Sequence, residues 1–283
     1  MAKLCLSLTI LLAGTVSIAA AQTSHSAIAY TNRAMTRSAH GDLDGALSDL
    51  DIAIEFDSSY AAAFYDRGRV RHARGNFDGA IADYSKTIAL DPRFAPAYNN
   101  RCAALTHKGE LDAAIADCNK AIEIEPRFAY AFSNRGMVRI LKMDLTGAIA
   151  DFTIAIEINP RPGESYYNRG IARYKKGDLE GAISDYDRVI KINPRYAKAY
   201  CNRGAAHRAK GDFDAAIADY GTAIRIDPNH APAYFDRGLA RMLQGQLVEA
   251  IIDFEHALKL DHNLEPLARE RIEAVRRQLE AKR

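Results

Sequence analysis

Residues 200–228 read YCNRGAAHRAKGDFDAAIADYGTAIRIDP, and their spacing predicts two helices joined by a tight turn. In the second half, apolar side chains recur at the three- and four-residue spacing of one helix face. These side chains are Phe213, Ala216, Ile217, Tyr220, Ala223 and Ile224. Gly211 suits a left-handed stop of the first helix, and Asp212 can cap the free amides of the second. Pro228 ends the second helix because it lacks an N–H group.

The same pattern recurs every 34 residues, seven times in register from Ala27 to Leu264. We number each repeat from position 1 to position 34, so that position 1 is residue 27, 61, 95, 129, 163, 197 or 231. Position 4 is always aromatic: Tyr30, Phe64, Tyr98, Phe132, Tyr166, Tyr200 and Tyr234. Position 20 is always alanine: Ala46, Ala80, Ala114, Ala148, Ala182, Ala216 and Ala250. This period indicates a repeat array in which each copy buries its apolar face against its neighbours.

Two further positions complete the pattern. Position 8 is small in every copy: Ala34, Gly68, Cys102, Gly136, Gly170, Gly204 and Gly238. Position 32 is Pro92, Pro126, Pro160, Pro194 or Pro228, with Ser58 and His262 in the end copies. With these residues the chain resembles the tetratricopeptide repeat family. The resemblance implies an all-α fold, a right-handed superhelical solenoid of antiparallel helix pairs, which serves many different protein partners.

The N-terminus reads as a secretory signal peptide over residues 1–21. Lys3 is the positive region, an apolar run follows from Leu4 to Ile18, and three alanines precede Gln22. Its brevity and its single lysine are typical of bacterial signals, so we predict a periplasmic or secreted protein. The alternative is an uncleaved membrane anchor, for which the apolar run is short of the roughly 20 residues that a span needs.

The remaining chain divides into a short lead-in, the repeats and a terminal helix. Residues 22–26 are predicted to be a flexible lead-in, and the repeats occupy 27–60, 61–94, 95–128, 129–162, 163–196, 197–230 and 231–264. Residues 265–283 are predicted to form a capping helix, because a last repeat would otherwise expose its stacking face; the alternative is a partner or dimerisation helix. Its predicted apolar face carries Leu267, Ile272, Val275 and Leu279.

A regular series of charges, which we call the charge ladder, runs through the repeats. Position 7 is Arg33, Arg67, Arg101, Arg135, Arg169, Arg203 or Arg237, where the family usually has leucine. Position 11 adds Arg37, Arg71, Arg139, Arg173 and Arg241. Position 23 is Asp49, Asp83, Asp117, Asp151, Asp185, Asp219 or Asp253. We interpret the ladder as structural Arg–Asp pairs that tie helices together; the alternative is an anion-binding spine.

The resemblance also implies a concave groove, lined by positions 2, 5, 9 and 12 of the first helices. Twelve residues at these positions are our candidate binding residues: Tyr65, Arg69, His72, Asn99, Tyr130, Met137, Tyr167, Tyr174, Lys198, Arg208, Phe235 and Met242. Aromatic residues, Met and Arg are the types that protein interfaces favour. The family's best-known clamp for a C-terminal carboxylate needs Lys and Asn at positions 5 and 9, where this chain has residues such as Tyr65 with Arg69 or Tyr167 with Ile171. We therefore predict an extended peptide or a partner helix with some acidity.

Other partners and chemistries find little support in the sequence. The formal net charge is +2, without the basic footprint of a nucleic-acid binder. The eight histidines form no metal-ligand spacing, the glycines form no phosphate loop, and no carboxylate breaks the repeat pattern. We predict a non-catalytic protein with no cofactor, metal or small-molecule substrate. The alternatives are a membrane-tethered assembly factor, an envelope enzyme or accessory hydrolase with a site in the groove, and a self-associating structural protein.

The cysteines give one further expectation. Cys102 and Cys118 hold positions 8 and 24 of the third repeat, at equal distances from the turn near Glu110. They can face each other as a disulfide in an oxidising compartment, and the alternative is two small buried thiols. Cys201, on the predicted groove, is left without a partner and is expected to react with thiol reagents.

Overall fold

The computed structural model describes residues 25–159 and 163–281, and every regular element in these ranges is helical. The all-α repeat solenoid predicted from the sequence is therefore confirmed. The chain forms two compact units, of which the first extends to Lys142 and the second begins at Met143. The predicted signal peptide, the alternative membrane anchor and most of the predicted lead-in lie outside the described residues.

Each repeat supplies two helices, and successive helices within a unit pack side by side as antiparallel neighbours. The first unit contains α1 (25–39), α2 (Leu43–Phe56), α3 (Ala61–Ala73), α4 (Phe77–Leu90), α5 (Ala95–Lys108), α6 (Leu111–Ile124) and α7 (Ala129–Leu141). The second contains α8 (Leu145–Ile158), α9 (Gly163–Lys176), α10 (Leu179–Ile192), α11 (Ala197–Lys210), α12 (Phe213–Ile226), α13 (Ala231–Gln244) and α14 (Leu247–Leu260). A 3₁₀ turn at His262–Leu264 leads into α15 (Glu265–Ala281). None of these described helices has the length and apolar character of a membrane span.

The turn inside each repeat follows the predicted chemistry. Gly211 has a left-handed φ of +86°, and the carboxylate of Asp212 accepts a hydrogen bond from the amide of Ala215 at 3.4 Å. In the fourth repeat the glycine is replaced by Met143, which still has a φ of +62°. Left-handed backbone costs a non-glycine residue roughly 1–2 kcal/mol, so the repeat geometry imposes this turn even where the residue opposes it.

Position 8 and position 24 share one space between the two helices of a repeat. A Cβ atom added to Gly68 would lie 2.7 Å from the ring of Tyr84, and one added to Gly170 would lie 2.7 Å from Tyr186. Where position 8 is larger, position 24 is smaller. The buried pair in the first repeat is Ala34 with Leu50, and in the third repeat it is Cys102 with Cys118. The cysteine sulfur atoms are joined in a disulfide, with the Cα atoms 5.6 Å apart.

The charge ladder ties the two helices of a repeat together. Arg169 donates through Nε and Nη2 to the two carboxylate oxygens of Asp185, at 3.0 and 2.7 Å. Arg173 donates to the same carboxylate at 2.8 Å. Equivalent two-pronged pairs join Arg33 to Asp49, Arg67 to Asp83, Arg101 to Asp117, Arg203 to Asp219 and Arg237 to Asp253. The aspartates at position 23 are all buried, with exposed fractions of 1–7%.

Five of the position 7 arginines also reach the preceding repeat. Their Nη1 atoms donate to the side chain at position 25 of that repeat, in the pairs Arg67–Asp51, Arg101–Ser85, Arg135–Asn119, Arg169–Thr153 and Arg203–Asp187. Each guanidinium also lies over the aromatic ring at position 4 of its own repeat, as Arg169 does over Tyr166 at 5.6 Å. The aromatic residue that opens each repeat is thus a platform for the arginine.

The last helix closes the apolar surface of the seventh repeat. Ala268, Ile272 and Val275 are buried against Leu247 and Phe254 of α14. The prediction that Leu267 lies on this face is wrong, because its side chain is 49% exposed. Residues 268, 272, 275 and 279 form one helical stripe, and residue 267 lies about 100° away from it.

We expect Gly170→Ala to lower the free energy of unfolding by about 1–3 kcal/mol, because the added methyl group overlaps the ring of Tyr186. Urea titration measures the loss. The double variant G170A/Y186L, which copies the pair at Ala34 and Leu50, should be more stable than G170A. A double variant that is less stable than the single one would contradict the shared-space explanation.

For the charge ladder, Asp185→Ala should cost about 3–5 kcal/mol, because it leaves the guanidinium groups of Arg169 and Arg173 without their buried partner. Asp187→Ala is the matched control. Asp187 also pairs with an arginine, Arg203, but its side chain is 54% exposed, and its loss should cost less than about 1 kcal/mol. Equal shifts of the urea midpoint in both variants would show that the ladder is solvated.

Candidate functional site

The first helices of neighbouring repeats lie side by side within each unit, as α3 does with α5 and α11 with α13. We call the side that carries positions 2, 5, 9 and 12 the groove face of that unit. It belongs to α1, α3, α5 and α7 in the first unit and to α9, α11 and α13 in the second.

The groove face of the first unit contains a cavity of about 360 Å³ between α3, α4 and α5. Its lining is Arg69, His72, Ala73, Tyr84 and Asn100. The groove face of the second unit contains a cavity of about 370 Å³ between α9, α10 and α11. Its lining is Tyr167, Ile171, Tyr174, Lys175, Tyr186, Asn202 and Ala205.

These two cavities occupy the same place in their repeats. Each has a tyrosine of position 24 and an asparagine of position 6 from the following repeat in its wall. The variable positions 9, 12 and 13 give each cavity its character. They supply Arg69, His72 and Ala73 in the first unit and Ile171, Tyr174 and Lys175 in the second. Each cavity therefore has one cationic side chain, at position 9 in the first and at position 13 in the second, and the second cavity is more aromatic.

Asparagines at position 6 hold the aromatic side chains of the groove face in place. The side-chain amide of Asn100 donates to the hydroxyl of Tyr65 at 3.0 Å, and Asn202 donates to Tyr167 at 3.1 Å. The ring of Tyr65 also meets Phe94 edge-on, with centroids 4.9 Å apart. Sequence reasoning missed this role, although asparagine recurs at position 6 as Asn32, Asn100, Asn134, Asn168 and Asn202.

The twelve candidate binding residues are not equally available. Tyr130, Met137, Arg69 and Lys198 are exposed, with 65% of Tyr130 accessible. Tyr65, His72, Tyr167, Tyr174 and Arg208 are half-buried. Partners can reach these nine side chains.

Three candidates have a different environment from the one predicted. Asn99 is only 6% exposed and accepts a hydrogen bond from Asn134 at 2.9 Å, so its prediction as a groove-wall residue is corrected. Phe235 and Met242 are half-buried and pack against the apolar cluster that α15 completes. The repeat position of these two residues is as expected, but the capping helix occupies part of their surface.

Two acidic residues stand at position 6 in place of asparagine. Burial raises the pKa of both Asp66 and Asp236. Asp66 pairs with Arg69 at 3.1 Å, and Asp236 lies 3.5 Å from Arg208. Each acid therefore partly neutralises an arginine of the groove face.

The cysteine that we predicted on the groove face is poorly activated. Burial, with a smaller effect of Asp236, raises the pKa of the Cys201 thiol to about 12. Because the thiolate is the reactive form, labelling of this half-buried side chain by thiol reagents should be slow. The sequence alone led us to expect ready labelling, because Cys201 has no disulfide partner.

Histidines that are scattered in the sequence meet around Phe77. The ring of His107 stacks on Phe77 with centroids 4.6 Å apart, and His72 lies 5.3 Å from Phe77 and 5.5 Å from His107. Burial and the neighbouring His107 lower the pKa of His72. The residues that the structure describes contain no group of three His, Cys, Asp or Glu side chains arranged to hold a metal ion.

The depressed pKa of His72 has a definite consequence for stability. The unfolded chain takes up a proton at this residue below about pH 6.5, while the folded chain still holds it neutral. The stabilisation is thus complete above that pH and is lost as the pH falls toward the folded pKa.

We expect the melting temperature of the unmodified chain to fall more steeply between pH 7 and pH 5 than that of His72→Gln. His262→Gln, at an exposed position, is the control and should follow the unmodified chain. Parallel pH profiles for all three proteins would contradict the role of His72.

Comparison with known families agrees with the repeat pattern. A family model described as TPR repeat matches residues 68–105 and 172–211. Two models described as tetratricopeptide repeat match residues 95–128 and 197–230, and residues 231–264. A comparison with curated proteins finds no significant match.

Solved structures share the fold. A tetratricopeptide repeat protein from Parabacteroides merdae ATCC 43184 is 21% identical over 89% of this chain and 99% of its own, with a TM-score of 0.66. YrrB, described as a TPR protein with an unusual peptide-binding site, is 24% identical over 66% of this chain and 97% of its own, with a TM-score of 0.56. PilW, described as a type IV pilus biogenesis factor, is 16% identical over 73% of this chain and 96% of its own, with a TM-score of 0.69.

The helix pairs, the turn chemistry and the small residues at positions 8 and 20 therefore agree with the matched family models and with the related folds. This chain belongs to the tetratricopeptide repeat family.

Proposed function

We propose that this chain is a non-catalytic scaffold of the bacterial envelope, which holds an extended peptide or a helix of another protein on its groove faces. Its family and its fold are those of protein-interaction scaffolds. The peptide-binding site described for YrrB and the pilus-biogenesis role described for PilW are consistent with such work.

The observation that carries the proposal is the pair of equivalent cavities. Tyr84 and Asn100 frame the first cavity, and Tyr186 and Asn202 frame the second at the same repeat positions. The frame is constant, but the side chains at positions 9, 12 and 13 differ. The two cavities can therefore bind different side chains of a partner without any change in the fold.

The groove faces also offer exposed side chains of the right kind. Tyr130 is 65% exposed and Met137 is 37% exposed on α7 of the first unit. Tyr174 lies in the wall of the second cavity. Rigid aromatic side chains of this kind are the common anchors of protein interfaces, since they bury a large area with little loss of conformational entropy.

The envelope location rests on two features of different origin. Residues 1–21 carry the pattern of a secretory signal. The disulfide between Cys102 and Cys118 is a covalent link that persists in oxidising compartments such as the bacterial periplasm.

The test is capture of partners from an envelope extract with the full chain and with two variants. One variant has three substitutions and the other has two. The groove variant changes Tyr130, Met137 and Tyr174 to alanine. The matched control changes Val248 and Ile252 to alanine, because both are exposed apolar residues on the second helix of a repeat. We expect the groove variant to lose at least about tenfold in affinity for its partner, and the control to lose none.

A partner that both variants retain equally would refute binding on the groove faces. The same preparation tests export, because the intact mass of the protein recovered from the envelope should correspond to a chain that begins at Gln22. A mass that includes Met1 would instead favour the membrane-tethered alternative.

A further inference from the structure

A third cavity, of about 390 Å³, lies in the second unit where α9 begins and α10 ends. It belongs to the groove face, because Glu164 and Tyr167 in its wall hold positions 2 and 5. The ring of Tyr196 meets that of Tyr167 edge-on, with centroids 5.3 Å apart. Val189 and Ile192 of α10 add an apolar surface. The wall is therefore mainly apolar and aromatic, and a few polar groups decide which ligand it selects.

The side-chain amide of Asn168 is an unsatisfied polar group in this wall. Asn168 is 8% exposed and has no hydrogen-bond partner among the described residues. Three counterparts at position 6 do have one, since Asn100, Asn134 and Asn202 each donate to a side chain at position 5 of the preceding repeat. The amide of Asn168 is not among the unpaired polar groups of the described residues that are closed off from solvent. A ligand in the cavity can therefore reach it and offset the cost of its burial.

Glu164 gives the cavity its charge. Among the described residues of the wall it is the one with an ionised side chain. It is exposed and forms no ion pair with any described residue, Lys198 at position 2 of the next repeat included. Burial raises the pKa of Tyr196, and the charge of Glu164 adds to the rise. The carboxylate therefore acts on the aromatic wall, and its charge is not balanced there by a described cation.

The helix ends at the cavity do not change the sign of this charge. The first amides of α9 lack partners within the helix and favour an anion, whereas the last carbonyls of α10 favour a cation. Each end is equivalent to about half an elementary charge, so the two largely offset each other. An anion at the start of α9 would also meet the full charge of Glu164. The cavity is therefore suited to a cation.

The space and the charge are both peculiar to the fifth repeat. Position 1 is Gly163 there and alanine in the six other copies. A Cβ atom added to Gly163 would lie 3.8 Å from Cγ2 of Ile192, an ordinary contact, so packing does not require the glycine. Glutamate stands at position 2 in this repeat alone. The fifth repeat thus combines an opening with an acid at the same end of α9.

We propose that this cavity binds a Lys or Arg side chain of the partner, whose charge pairs with Glu164 and which donates a hydrogen bond to the carbonyl oxygen of Asn168. The aliphatic part of the same side chain packs on the apolar wall, and tyrosine rings favour a cation beside them. The inference rests on the proposed function, because it names one feature that the partner must carry. The cationic residues elsewhere on the groove faces can still favour acids at other positions of the partner.

The probe is a random twelve-residue peptide library displayed on phage, with selections run in parallel on the full chain, on Glu164→Gln and on Glu249→Gln. Glu249 is the matched control, because it is also an exposed glutamate in the first turn of a helix of the second unit. We expect Lys or Arg to be enriched at one peptide position by the full chain and by Glu249→Gln. The enrichment should be lost with Glu164→Gln. Peptides that bind elsewhere on the chain will be equally frequent in all three pools.

Synthetic peptides from the enriched pool then measure the pairing. Replacing the enriched base by methionine should weaken binding to the full chain at least about threefold, and it should change binding to Glu164→Gln much less. Asn168→Ala should weaken binding of the basic peptide by a similar factor. Glu164→Lys should reverse the preference, so that a peptide with Glu in place of the base binds this variant more tightly than the basic peptide does. This reversal tests the pairing even if Asn168→Ala does not fold, because Glu164 is exposed.

The outcomes separate this inference from the function on which it rests. Identical pools from the full chain and Glu164→Gln, enrichment of an acid in place of a base, or a charge reversal that fails to favour the acidic peptide would overturn the inference. Binding on the groove faces would stand if the captured envelope partner still required Tyr130, Met137 and Tyr174. Equal capture of that partner by the groove variant, together with identical pools, would overturn both proposals.

Discussion

In the repeats whose two helices lie in one unit, an aspartate is buried at the contact between those helices, and the helix pairs depend on the arginines that neutralise it. A lone carboxylate cannot leave water without a penalty of several kcal/mol. Asp185 meets this requirement with Arg169 and Arg173, both from the preceding helix. Arg169 also reaches Thr153 of the previous repeat and lies over Tyr166. One guanidinium on α9 thus contacts α10 of its own repeat, α8 of the preceding repeat and an aromatic ring.

This arrangement separates the residues that hold the fold from the residues that are free to vary. Positions 4, 7, 20 and 23 are committed to packing or to buried charge, and they barely change along the chain. Positions 9, 12 and 13 face the cavities and are not constrained in this way. They differ between Arg69 and Ile171, and between His72 and Tyr174, so two cavities of nearly equal size have different chemistry.

Some repeats depart from the usual residues at positions 8 and 24 and still keep the fold, because the two positions change together. Glycine at position 8 goes with an aromatic ring at position 24, as in Gly68 with Tyr84 and Gly238 with Phe254. The third repeat departs from both positions at once, with Cys102 and Cys118 linked in the same space. The sequence contained this signal, because the two positions change together from one repeat to another. It becomes interpretable only when the contact between them is known.

The repeat period, the helix pairs and the turn residues follow from the amino-acid sequence alone, since they depend on local backbone geometry and on a spacing of side chains that recurs seven times. The availability of a given side chain does not follow in this way. Asn99 and Tyr84 are buried, and His72 and His107 meet at Phe77. These facts depend on how closely one helix packs against the next, and such packing arises only when distant parts of the chain come together.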